Sequence, residues 1–510
     1  MPFFNPFRKH DQTTFHGVVI PLSSAPSHAR PESPALEKKG SPKEKPDDSS
    51  LDKAPSQENG SAASIPERSH LTIESLRAEI ESDVAASGHD TAYDRKSKVI
   101  NRAIQDIGMG RYQWELFCLC GFGWLADNVC ALFACLGLGV GGNLPVDGAL
   151  FLEFLPFASG NLLTMLSVWW PVGQLIASLI AWGLIPSYSC ADDLPSCKAV
   201  GDGVACCGKD NNMGWRYFVL TMGSLTIVMF ICRFFLFHLY ESPKFLLARG
   251  RQDEAVAAVH GIAYKNKTKT WLTVDILNEI GGYPEENAPQ TLSTKEIVQR
   301  NLSKFSLQRV RPLFATKKLG FTTVILWFCW TTIGMGYPLF NAFLPQYIKN
   351  AGGSTEASTY VTYRNYAITS IVGVPGSILA CYTVDIKYIG RKGTMVISTL
   401  ITGVLLFCFT ASTNSNVQLV CSCLEAFFQN IMYGVLYAYT PEVFPAPSRG
   451  TGTGISSCLN RIAGLCAPLV AIYGGSSNPN SPIYASGGLI LASFVAMCCL
   501  PIETMGKQSL

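Results

Sequence analysis

Apolar residues gather in nine long runs separated by short polar stretches. The runs are Trp114 to Phe154, Leu162 to Ile185, Trp215 to Phe237, Phe321 to Ile348, Tyr366 to Val384, Thr394 to Thr410, Val417 to Thr440, Thr451 to Ile472 and Ala485 to Leu500. Most match the roughly 20 residues that a helix needs to cross a bilayer. The first run is too long for one crossing, since its 41 residues would reach about 60 Å as a helix. Asp127-Asn128 is the natural break within it. Ahead of the runs, Leu71, Ile73, Leu76 and Ile80 recur at helical spacing, as do Val99, Ile100, Ala103, Ile104 and Ile107. Gly108 and Gly110 should end the second of these helices. Residues 1 to about 70 are rich in Ser, Pro, Glu and Lys, a composition that buries too little to fold alone, so a disordered tail is expected.

Charge sharpens this division. The chain has 510 residues of which only 15% are charged, against about 25% in ordinary soluble domains. Residues 1–111 and 241–318 together hold 52 of the 77 charges. The remainder excludes a soluble enzyme and points to an all-α, polytopic transmembrane bundle. With both signs mixed and no basic stripe, nucleic-acid binding has little support. No metal cluster, cofactor loop or nucleophile-base pair stands out, so neither a cofactor nor an enzymatic role is expected.

Short loops rich in Lys and Arg stay in the cytoplasm. Counting the first run as two spans puts Lys387, Arg391, Lys392, Arg449 and the basic stretch 241–318 on that side, and gives ten spans with both termini inside. The loop from Pro186 to Met213 then lies outside with Cys190, Cys197, Cys206 and Cys207, read as one or two disulfides. The sequons at Asn266 and Asn301 fall in the cytoplasmic stretch and are expected to stay unglycosylated.

Three stretches then carry a family resemblance: GVGGNLPVDGALFLEFLP at 139–156, ESPKFLLARGR at 241–251 and YTPEVFPAPSRGTGTG at 439–454. They resemble signatures of the major facilitator superfamily, in its sugar-porter, organic-ion and synaptic-vesicle-like branch. The resemblance implies two six-span halves with a solute site at mid-membrane between them. Here six spans follow residue 320 and only four precede residue 240, a 4 + 6 arrangement instead of 12. The second and third spans have no counterpart, with Asn128-Val129 as the junction. The chain accordingly divides into a tail (1–111), an incomplete amino half (112–240), an inter-half loop (241–318) and a carboxy half with a short tail (319–510).

Within this frame, Glu241 belongs to the second motif, Glu442 and Arg449 sit close enough in the third to pair, and Asp385, Gly390, Arg391 and Lys392 resemble a gating loop. In that loop the Asp-to-Gly spacing is two residues longer than usual. Ionisable groups inside a bilayer are costly and suggest function. Asp127 and Arg461 occupy positions where the resembling family often carries functional residues. Asp147 and Glu425 are candidates for proton coupling, or else paired structural charges. Glu153 and Arg233, near helix ends, can snorkel. Asn143 lies among glycines that suit close helix packing. Trp330, Tyr337, Asn341, Gln429, Asn430, Tyr433 and Tyr437 are candidates to line a pore or simply to pack. Two functions follow: a secondary transporter of a small organic solute, proton-coupled or facilitative, or a non-transporting truncated product or sensor with unknown tail partners. The mixed chemistry does not choose among sugars, carboxylates and organic cations, nor between plasma membrane and endomembrane.

Overall fold

The computed structural model describes residues 14–24, 72–87, 92–129, 143–156, 159–190, 194–197, 205–235, 239–282, 310–341, 343–344, 347, 358–412, 414–475 and 480–504. Among these, helices account for nearly all regular structure. In chain order they are α1 (Ile73–Ser87), α2 (Ala92–Ile107), α3 (Arg111–Val129), α4 (Asn143–Phe154), α5 (Asn161–Leu184), α6 (Gly214–Phe235), α7 (Pro243–Ala248), α8 (Gln252–Lys265) and α9 (Val274–Gly281). There follow α10 (Lys317–Asn341), α11 (Thr359–Thr383), α12 (Gly390–Ala411), α13 (Ser415–Val443), α14 (Ala446–Gly475) and α15 (Ser481–Cys498). Eight of them, α5, α6 and α10 to α15, are long and apolar enough to cross a membrane. The first apolar run forms α3 and α4 instead. Helix α3 continues through the expected break to Val129, and α4 has 12 residues, about 18 Å at helical rise.

The carboxy half is a six-helix bundle, in which α10 packs on α14 and α15, α12 on α13 and α15, and α11 on α13. The amino half, α3 to α6, closes against it through α5, which packs on α11 and α13. Small residues set the tightest of these seams. A Cβ on Gly334 of α10 would stand 2.5 Å from the backbone carbonyl of Asn460 on α14. One on Gly173 of α5 would stand 2.7 Å from that of Leu125 on α3. On Gly434 of α13, at the seam between the halves, the obstacle is the Ser167 hydroxyl of α5.

One end of the bundle, here the basic end, carries a compact helical unit. Helices α1, α2, α7, α8 and α9 bury Leu76, Ile100, Ile104, Val259, Trp271 and Leu277 in a shared core. Its polar ties are specific: Trp271 Nε1 donates to Asp106 at 2.8 Å, and Lys96 Nζ donates to Gln252 at 2.9 Å and Asn278 at 3.0 Å. Burial holds the Lys96 ammonium below its ordinary pKa, since the charged form loses hydration there. Asn266 also belongs to this end. Its Oδ1 accepts from Tyr112 N–H at 2.8 Å and its Nδ2 donates to Gln113 at 2.8 Å, which fastens α8 to the first turn of α3. Asn301 lies outside the described residues.

Most of the expected disordered tail lies outside the described residues, but residues 14–24 are described and docked. They do not fold alone: Val19 forms an isolated bridge with Thr270, next to α8. At the opposite end, the loop between α5 and α6 pairs Cys190 with Cys207 and Cys197 with Cys206.

Candidate functional site

Two constellations stand between the halves. The first lies along the middle of the bundle and is built on α13, whose residues 429 to 441 are buried without interruption. A helix buried all round must spend its polar groups on neighbours. Asn341 Nδ2, at the end of α10, donates to Gln429 Oε1 at 3.1 Å and reaches Glu425 Oε1 at 3.5 Å. Glu425 is 1% exposed, and its Oε2 has no hydrogen-bond partner among the described residues. From the amino half, Gln174 on α5 donates to the Tyr366 hydroxyl of α11 at 3.2 Å.

One turn away is an aromatic cluster that straddles the halves. Trp170 of α5 meets Tyr433 of α13 at 4.7 Å and Tyr337 of α10 at 5.4 Å between ring centroids, and Tyr337 meets Tyr433 edge-on at 5.5 Å. Tyr437 lies between Trp124 of α3, at 4.8 Å, and Trp330 of α10, at 4.6 Å. Trp330 Nε1 donates to Thr440 at 3.0 Å. Asn430 turns away from the cluster, donating to the Ala426 carbonyl of its own helix at 2.7 Å. Trp124, Trp170, Gln174 and Tyr366 are absent from the sequence-based candidates. Trp170 and Gln174 are four residues apart, so they share a helix face, and a polar residue on an aromatic stripe was the available signal.

The second constellation closes the basic end. Arg391 Nη2, on the first turn of α12, donates to Glu442 Oε1 at 2.6 Å and to the Gly160 carbonyl of the amino half at 3.3 Å. Glu442 thus takes its hydrogen bond from Arg391, while Arg449, the partner expected from the sequence, lies near enough for its charge to act on Glu442 as well. Pro441 lies inside α13 rather than ending it, so the chain turns only after Val443. Arg449 Nε donates to the Pro441 carbonyl at 2.8 Å, and Glu442 faces α12. Gly390, at φ +61°, begins α12 in a conformation that favours glycine. The two N–H groups beyond it, of Arg391 and Lys392, donate to the Glu503 carboxylate at 3.2 and 3.1 Å. An acidic group at a helix N-terminus is stabilised by the open donors there. Lys392 Nζ donates to the Leu500 carbonyl at 2.7 Å. Glu503 escapes sequence reasoning because nothing in its own stretch indicates a helix 112 residues away. Asp385 and Glu241 are exposed and stand apart from this latch.

The remaining candidates separate. Asp147, fully buried on α4, accepts from Arg233 Nη2 of α6 at 2.7 Å, which favours the paired reading of Asp147 and gives Arg233 a partner in place of snorkelling. Arg461 is exposed on α14 yet stays near enough to the aromatic cluster for its charge to act on Tyr433. Asp127 and Asn143 fall on α3 and α4, but their side chains lie outside the described residues. Just beyond the basic end of α6, burial pushes Lys244 down to about 8, a shift to which the nearby Arg449 guanidinium adds.

The Arg391–Glu442 pair is open to test. Both side chains are under a tenth exposed, and removing one partner of such a pair leaves a buried charge, costing about 3–5 kcal/mol. Arg391→Ala and Glu442→Ala should each lower the unfolding temperature of the purified protein, read by tryptophan fluorescence. The double variant should lose less than the two losses added. Strict additivity would show that the two groups do not act as a pair.

Comparison with known proteins agrees with this architecture. The family profile described as Major Facilitator Superfamily matches residues 114–387 and 365–508. The chain is 39% identical to MFS siderochrome iron transporter 1 of Ceriporiopsis subvermispora, over 82% of this chain and 93% of that protein. It is 34% identical to the major facilitator-type transporter hxnZ of Emericella nidulans, over 85% and 91%. A solved proton:xylose symporter, XylE, superposes with a TM-score of 0.53 at 17% identity, covering 86% of this chain and 93% of the other, which supports the fold alone. The chain belongs to the Major Facilitator Superfamily, and it is an integral membrane protein of a family that transports small solutes rather than an enzyme.

The first alignment also bears on the missing spans. It runs over 498 residues while drawing on 82% of a 510-residue chain, about 418 residues. About 80 positions of the siderochrome transporter thus have no counterpart here, ample for two spans of roughly 20 residues with their loops.

Proposed function

We propose that the protein is a proton-coupled secondary transporter of a small organic solute, working by alternating access, with the basic end and both termini in the cytoplasm. One observation carries this reading: the cluster of Trp170, Tyr337 and Tyr433 spans both halves, beside a buried carboxyl group, Glu425, which among the described residues is hydrogen-bonded by Asn341 alone. Aromatic faces hold the apolar or cationic part of a solute, and the amides of Asn341, Gln429 and Gln174 fix its polar groups. A carboxyl group with one open oxygen can take a proton from one side and release it to the other as access changes. The basic-end latch of Arg391, Glu442 and Gly160 has to open for the site to reach the cytoplasm.

Orientation rests on the cation distribution and on the paired cysteines, which suit an oxidising compartment. Reconstitution into liposomes with a panel of sugars, carboxylates and amines tests the reading, using this chain and one with the missing spans restored. Uptake of at least one solute above empty liposomes, increased by an inward proton gradient and lost in Trp170→Ala or Tyr433→Ala, is expected. No uptake by either form across the panel would leave the non-transporting alternative. Uptake indifferent to the gradient would overturn proton coupling.

A further inference from the structure

The stretch Phe15-His16-Gly17-Val18-Val19-Ile20-Pro21-Leu22 ends in a continuous apolar run whose exposure changes from residue to residue. Val18 is 4% exposed and Ile20 is half-buried, whereas Val19 between them is 45% exposed, and a 3-10 turn at Leu22–Ser24 follows. That is the period of two of a strand with one buried face. Its backbone pairs accordingly: Ile20 N–H donates to the Thr270 carbonyl at 3.0 Å, and Thr270 N–H donates to the Val18 carbonyl at 2.9 Å. Thr270 lies between α8 and Trp271, whose indole is fixed on Asp106, so the acceptor edge is held by the unit's own core.

Gly17, at φ +75°, turns the chain so that Phe15 folds back over the same unit. Phe15 meets Tyr264 at the end of α8, 5.7 Å between centroids, and Tyr240 edge-on at 6.1 Å. Tyr240 follows α6 and meets Tyr112 in the first turn of α3, the rings tilted with centroids 5.3 Å apart. Its N–H also donates to the Tyr112 hydroxyl at 3.3 Å. A segment from the start of the chain therefore touches the inter-half unit and the place where α3 and α6 converge.

We propose that residues 15–22 form a clip whose extended part, Val18 to Ile20, docks on the chain's own inter-half segment at Thr270 and which, through Phe15 on Tyr240, holds the basic ends of α3 and α6 together. The groove is an interaction surface whose occupant is this tail. The contact is a short strand addition, with main-chain bonds to Thr270 supplying register and the burial of Val18 and the ring contacts of Phe15 supplying selectivity. Docking restrains the ends of two helices that must shift for the bundle to open, so the clip regulates opening. This inference stands on backbone pairing and ring contacts and does not depend on what the protein carries.

Hydrogen exchange on the full chain in detergent or nanodiscs tests it. In the unmodified protein the amides of Ile20 and Thr270 should exchange slowly. Phe15→Ala combined with Val18→Asp should speed exchange about tenfold or more at residues 268–272, 239–242 and 110–113. A synthetic peptide of residues 12–26 added in trans should restore protection, which also shows that the released protein is still folded. Gly17→Ala, which keeps every apolar contact but strains the turn, should weaken docking in the same places, and Val19→Asp on the open face should change nothing. Unchanged exchange at Thr270 in the double variant would show that the segment does not dock. Loosening confined to 268–272, with 239–242 and 110–113 as protected as before, would overturn the clip, as would failure of the peptide to restore protection.

Discussion

Glu425→Gln should abolish proton-driven accumulation while leaving solute exchange largely intact. The substitution keeps the shape and the contact to Asn341, which sits at 3.5 Å from Oε1, but removes the only group at that position able to carry a proton. Across a gradient of one pH unit each coupled proton supplies about 1.4 kcal/mol, a tenfold accumulation. The variant should lose that factor, and counterflow of labelled against unlabelled solute should persist because it needs no proton. Glu425→Ala should behave in the same way with respect to the gradient but also weaken counterflow, since Asn341 and Gln429 lose a packing partner. Proton-driven accumulation by the glutamine variant equal to that of the unmodified chain would remove Glu425 from the coupling step.

Restoring two spans at the Asn128-Val129 junction should raise both the amount of protein at the membrane and its uptake by an order of magnitude or more. The structure shows where they are wanted. Helix α14 is only 28% buried along its apolar window and α6 only 11%. Leu465, Leu469 and Tyr473 stand 77%, 57% and 77% exposed on α14. Apolar exposure of that kind suits lipid or an apposed helix. The first relative aligns across about 80 positions that this chain lacks, and two spans need roughly 40. Expression of both forms side by side, with surface biotinylation and uptake over the same panel, measures the difference. Equal abundance and equal uptake would mean that four amino-half helices already make a working wall.

The apolar runs were legible because bilayer thickness fixes helix length, and each of the eight spanning helices covers one of them. The aromatic candidates Tyr337, Tyr433 and Tyr437 were legible too, since rings and amides repeated on one helix draw notice. What joins them was not. Trp170 and Gln174 belong to another half of the fold, and nothing local distinguishes a tryptophan that faces lipid from one that meets Tyr433. The hydrogen-bonded partner of Glu442 was hidden for the same reason: Arg449, seven residues away, is near it in sequence, whereas Arg391 is 51 away and reaches it only once α12 packs on α13. The docked tail segment was hidden by its surroundings. Five apolar residues, Val18 to Leu22, inside about 70 mostly polar ones do not change an average composition, and the run itself does not say what it packs on.

The glycines at the helix seams have a mechanical consequence. Gly334 against the Asn460 carbonyl and Gly173 against the Leu125 carbonyl bring main chain onto main chain, and a backbone has no rotamer with which to step aside. These seams, α10 with α14 and α3 with α5, behave as welds, so each joined pair travels as one piece. At Gly434 the neighbour is the Ser167 hydroxyl, which can swing about a single bond, and the facing surfaces nearby are rings rather than main chain. That boundary is a bearing. Any rocking of one half on the other should therefore run along α5 and α13, with the welded pairs as levers.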